Sequence, residues 1–171
     1  MEIIKTSIDW AKAEILSSSF FIVFGIVFVA VSIAFWQLGK TDLAKAYIIP
    51  TTVAGVLLLT IGIGLVYANK MRISSFSEDF KKDAPAFVQA EIERVDKTLK
   101  EYKTVVFTAI PLIITAFSIV LFFVNTPTWR AISITTIAML MIILFIDGTA
   151  HARIEVYKSQ LEKNTVSKQH Y

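Results

Sequence analysis

The stretch SSSFFIVFGIVFVAVSIAFW, Ser17–Trp36, runs for twenty residues without a charge. At 1.5 Å of rise per residue, a helix of that length covers about 30 Å, the thickness of a bilayer's hydrocarbon core. Open strands cannot cross lipid, because their unpaired backbone groups would meet no water there. A spanning helix is the only local structure that suits this stretch, and the rest of the chain repeats the pattern. Glu14 to Lys40, Lys45 to Lys70 and Lys103 to Arg130 each enclose an uncharged segment, and a fourth lies between Arg130 and Asp147. The expected fold is an all-α integral membrane four-helix bundle, a single domain over residues 1–171. Its spans are expected at about 17–37, 46–69, 104–124 and 129–148.

Composition agrees with that reading. Apolar residues make up 55% of the chain, too many for a soluble domain of this size. The net charge of +3 and pI near 9.1 reflect basic loops beside a membrane and predict no nucleic-acid partner. There is no cysteine, which excludes disulfides, thiol nucleophiles and cysteine-ligated metal. The apolar run from Ser17 is longer than the core of a cleaved signal peptide, so none is expected.

Orientation follows from the basic residues. The N-terminal stretch, the loop between the second and third spans and the C-terminal tail hold fourteen Lys and Arg, against three at Lys40, Lys45 and Arg130. The positive-inside bias then predicts both termini in the cytoplasm, with the protein in the cell (inner) membrane. Trp36, Tyr47 and Trp129 mark the outer interface, and Trp10, Tyr67 and Tyr102 the inner one.

Small residues recur every seven positions along the first helix at Ala11, Ser18, Gly25 and Ser32. The second carries Thr51 beside Gly55, then Gly62 and Asn69. Small side chains let backbones approach where water is absent, so these faces should pair the first two helices. The same signal would serve a homo-oligomer. Ala109 and Ala116, then Ala131 and Ala138, repeat the spacing in the last two helices.

Those last two helices are expected to continue past the membrane. Val88, Ile92, Val95, Leu99, Tyr102 and Val106 alternate by four and three, as do Ala150, Ile154, Tyr157 and Leu161. An antiparallel cytoplasmic stalk over about 84–103 and 149–163 follows, with Asp83 as N-cap and Pro85 in the first turn. No Gly or Pro near Tyr102 predicts a break there. Residues 71–83 read as a helical tail of the second span ending in a turn. The N-terminal stretch reads as an amphipathic helix, either interfacial or packed on the stalk. Pro50 and Pro111 lie within expected spans and should kink them.

Motifs of catalysis are absent: no H-E-x-x-H, G-x-S-x-G or phosphate-binding glycine loop occurs. No enzymatic activity, cofactor or metal is therefore expected. One polar cluster stands out, Asp147 with His151 at i,i+4 and Lys103 across the hairpin. It reads either as a boundary carboxylate paired with Lys103, Lys70 or Arg72, or as a functional proton or cation site. The bilayer midplane offers hydroxyls, at Thr60, Thr115, Ser118, Ser133, Thr135 and Thr136, and no ionisable group. Two functions fit. The first is a non-enzymatic protein acting through contacts with a protein partner or its own copies: a subunit, accessory, inhibitor or immunity-type factor. The second is a small oligomeric channel or transporter with Asp147 and His151 at its cytoplasmic mouth.

Overall fold

A computed structural model describes residues Glu2–Lys168, with side chains described as far as Lys163. It is all-helical. Helix α1 covers Glu2–Leu38, a short α2 covers Asp42–Ala46, and α3 covers Ile48–Lys82. Then come α4 (Ala84–Glu101), a π-helical segment (Tyr102–Ala109), α5 (Ile110–Phe123) and α6 (Pro127–Lys168). Four of the resulting rods are long and apolar enough to cross a membrane. The chain is a multi-pass membrane protein by that measure.

Local chemistry explains the breaks. Thr41 caps α2, its Oγ1 accepting from Ala44 N at 3.1 Å. Asp83 leaves the helical region and accepts from Ala86 N at 3.0 Å, with Pro85 in the first turn of α4. Both supply acceptors to orphan N–H groups of a helix start. Pro50 falls in the first turn of α3 and not in a helix interior, so its missing N–H disturbs no helical bond and the expected kink does not arise there. Pro111 acts differently. Just before it the winding widens from Tyr102 to Ala109, and Ile110 N bonds Val105 O, five residues back. A residue with no N–H to give ends that ladder without an orphan donor, and α winding resumes over Ile110–Phe123. The rod from Ala84 to Phe123 is continuous, but it is not regular near Tyr102 as the sequence suggested.

The apolar half is held by α1 against α3. A Cβ on Gly25 would stand 3.0 Å from Gly55 O, and one on Gly55 would stand 3.0 Å from Gly25 O. One on Gly62 would meet Ile22 N at 2.9 Å. Backbones touch at these points, and any side chain would push them apart. Ser18 is buried on the same contact, and Ser32 donates to Ile48 O across it at 2.8 Å. Against this tight pair the last two helices are loose. Ala131 is buried, but Ala116 and Ala138 are exposed, so their repeat marks no continuous contact within the chain. Among the described residues, and outside its own rod, α5 packs on α6 alone.

At the charge-rich end lies a second core. Ile3, Trp10 and Ala11 of α1, Phe76 of α3, Val88 and Val95 of α4, and Ile154, Tyr157 and Leu161 of α6 form one cluster. The antiparallel pairing of α4 with α6 is present, and Lys158 Nζ reaches Asp96 Oδ1 across it at 2.6 Å. The α4–α6 pair is joined by the expected helical tail of α3 and by the N-terminal part of α1, which packs on the stalk and does not lie at the interface. Trp10 is consequently 8% exposed inside that core and is no interfacial anchor.

The glycine contact is open to direct measurement. Gly25→Leu or Gly55→Leu should each destabilise by about 1–3 kcal/mol through overpacking, read as a lowered thermal midpoint in detergent. Gly64→Ala is the control. A Cβ there meets nothing within 4 Å, so its midpoint should hold or rise.

Candidate functional site

The densest polar chemistry lies inside the stalk, where the sequence marked only a seam. Ser7, Trp10 and Glu14 fall at i, i+3 and i+7 on α1, one face of a helix. That face meets Glu91 and Arg94 from α4, and Arg153 and Tyr157 from α6. The Trp10 and Tyr157 rings stack with centroids 4.9 Å apart and planes 8° from parallel. Arg94 covers the Trp10 ring, its Cζ 4.6 Å from the centroid, a cation–π contact. The same guanidinium grips Glu91 with two bonds, Nε to Oε1 at 2.9 Å and Nη2 to Oε2 at 2.6 Å. Tyr157 closes the ring of contacts: its hydroxyl lies 2.9 Å from Glu91 Oε2 and 2.8 Å from Ser7 Oγ.

Seven residues up α1 from Ser7, Glu14 Oε1 accepts from Arg153 Nε at 3.1 Å. On α3, Arg72 Nη1 donates to Asn69 Oδ1 at 2.9 Å, and Asn69 Nδ2 donates back to Leu65 O. Burial pushes the Glu14 carboxyl above its ordinary range, against the pull of Arg153. Burial also raises the Tyr157 hydroxyl, and the Glu91 carboxylate adds to the rise. Tyr157 is therefore a neutral donor at physiological pH, and Glu91 is the acceptor that suits it.

The residues singled out in the sequence are arranged less tightly. Asp147 is half-buried and forms no ion pair with Lys70, Arg72 or Lys103 among the described residues. Lys103 is exposed. His151 turns to other neighbours: Nδ1 is 3.7 Å from Glu155 Oε2, and its ring lies edge-to-face on Tyr102 and Phe107, centroids 5.7 and 5.0 Å away. Among the described residues no group of three or more His, Asp or Glu gathers as a metal site. The small-face residues Ser18, Gly25, Ser32, Gly55 and Gly62 do meet, in the α1–α3 contact.

Sequence reasoning missed Glu14, Glu91, Arg94 and Arg153. A signal existed for Glu91 and Glu14: each sits beside seam positions, Glu91 between Val88 and Val95, and Glu14 one turn past Ala11. A carboxylate on a buried seam needs a cation from another element or from its own helix. Compared with known family models, curated proteins and solved structures, the chain has no match.

What this arrangement does chemically is fix geometry. It joins α1, α4 and α6 through groups that have one good partner set each. Removing Glu91 strands the Arg94 charge and takes one of the two partners of Tyr157, so Glu91→Ala should cost about 3–5 kcal/mol, as breaking buried pairs does. Tyr157→Phe deletes a hydroxyl and spares the stack, so about 1–2 kcal/mol is expected. Denaturant unfolding of the detergent-solubilised protein, followed by Trp10 fluorescence, separates the two. Equal losses would contradict the network described.

Proposed function

We propose that this chain is a non-enzymatic protein of the cell (inner) membrane, with both termini cytoplasmic, that works through contacts with a protein partner or with its own copies. The classes that fit are a subunit, an accessory factor, an inhibitor or an immunity-type protein. The observation that carries the proposal is the lopsided packing of α5. Among the described residues this helix touches α6 and no other rod, and of its fourteen residues only Ile110 is buried. Leu112, Ile119, Phe122 and Phe123 are more than half exposed along it. A helix of a self-sufficient bundle has two neighbours, and the missing neighbour is the place for a partner's helix.

The polar stalk supports the same reading. Glu91 and Arg94 hold each other with two bonds, which suits a rigid element that presents a surface. The alternative, an oligomeric channel or transporter with Asp147 and His151 at its mouth, draws less support. Thr60, Thr115 and Ser118 each donate to the carbonyl four residues back in their own helix, at 2.8 Å. Hydroxyls satisfied in this way need no water.

Two measurements test the proposal. A photo-crosslinking amino acid at Ile113 or Ile119 in native membranes should give an adduct larger by the mass of a protein, while one at the fully buried Leu58 should not. Lipid adducts alone at all three sites would refute the α5 contact. For orientation, single cysteines at Lys5 and Lys81 should resist an impermeant thiol reagent in intact cells, and one at Thr41 should react. Labelling at Lys81 without lysis would reverse the topology.

A further inference from the structure

Between α1 and α6 two cavities meet at one side chain. The apolar one, about 560 Å³, is lined by Leu16, Phe20 and Phe24 of α1 and by Phe145 of α6, with Arg153 at its end. The polar one, about 510 Å³, continues past Arg153 along Thr6, Asp9 and Trp10. Arg153 is the residue that both share with a charge to offer. It lies six residues beyond Asp147, about 9 Å along the helix and so at headgroup depth if Asp147 marks the edge of the hydrocarbon.

The donors at this junction are not used up. A guanidinium carries five N–H groups, and Glu14 takes the one on Nε. Arg153 Nη2 and Trp10 Nε1 are both buried without an acceptor among the described residues. Those two atoms are closed off from the cavities, but the Arg153 side chain is 32% exposed and lines both, so its remaining N–H groups can meet an anionic oxygen at the junction. Asp9 repels an anion along the polar cavity, and at the Arg153 end the Glu14 carboxylate occupies only Nε, which leaves those N–H groups for an anion. The apolar cavity beside that point suits a chain of methylenes, and its aromatic walls lie within the spanning segments. Charge, depth and apolar continuity together describe an amphiphile with a phosphate head.

We propose that this groove holds one anionic phospholipid from the leaflet on the charge-rich side, its phosphate at Arg153 and one acyl chain along Phe20, Phe24 and Phe145. Such a lipid would fill the space between α1 and α6 at the level where the membrane half and the stalk join.

Native mass spectrometry of the full chain in mild detergent tests this, with dioleoyl phosphatidylglycerol and dioleoyl phosphatidylcholine as probes. The wild type should retain the anionic lipid about tenfold better, the effect of one charge-assisted contact. The double variant Glu14→Gln/Arg153→Gln removes the ion pair as a unit and should bring the two lipids level. Thr149→Trp, at an exposed position lining the apolar cavity, should lower retention of both. These variants act by separate routes, so either one decides if the other fails to fold. Equal retention of the two lipids by the wild type would overturn the proposal. So would an unchanged preference in the double variant, or displacement of the lipid by millimolar glycerol 3-phosphate, which would mark a site for a free anion.

Discussion

Everything in this molecule depends on one change of solvent along its length. In hydrocarbon, two helices gain nothing by hiding apolar side chains from each other, since lipid tails are as apolar as leucine. What remains is close packing, and the chain obtains it where Gly25 and Gly55 let two backbones touch. In water the hydrophobic effect returns, and large side chains become an advantage. The same helix, α1, therefore carries glycine and serine at its contact in one half and Trp10 in the other. A single rod meets both conditions because its seven-residue spacing keeps one face toward its neighbours throughout.

How much of this was legible follows from the same division. The α1–α3 contact could be read from Ser18, Gly25, Ser32, Gly55 and Gly62, because a glycine in a lipid-spanning helix has few uses besides close approach. Asp83 could be read as a cap, because a short polar side chain before Ala84-Pro85 has a local job. The four-membered stalk could be read only in part, since residues 71–83 read as a helical tail but the N-terminal helix reads equally as interfacial. Spans were measured by what lipid requires, and nothing in that measure says how far α1 and α3 run on into water. The buried polar network of the stalk went unmarked for a related reason. Asp147 drew notice as a charge near hydrocarbon, where charges are rare. Glu14, Glu91 and Arg153 lie among other charges, where a buried one looks ordinary until its partners on other helices are known.

The irregular winding before Pro111 has the same origin in local bookkeeping of backbone bonds. A proline inside a helix leaves one carbonyl without a partner, and lipid offers none. Five-residue bonds over Tyr102–Ala109 reassign the acceptors ahead of it, and Thr108 Oγ1 takes up Lys103 O at 2.9 Å. The wider turn falls where α4, with its stalk seam, gives way to α5, which has one neighbour. On either side of it, α4 and α5 both pack on α6.

Why charges sit in the stalk core at all is a question of depth. A purely apolar core could slide: shifting α1 by one heptad against α6 would still bury leucine-like surface, and lipid would not object to the displaced residues. The pair Glu14–Arg153 and the ring Glu91–Arg94–Trp10–Tyr157 forbid that shift. Sliding α1 one way would draw Glu14 away from Arg153 and into hydrocarbon, where a charge is costly. Sliding it either way would part Ser7 from Tyr157 and Glu14 from Arg153, leaving buried groups without partners. Register along the helices and depth in the membrane are thus set by the same residues. A protein whose α5 stands open on one flank needs that constraint more than a closed bundle does, since the partner helix proposed for that flank could meet it only at a fixed height.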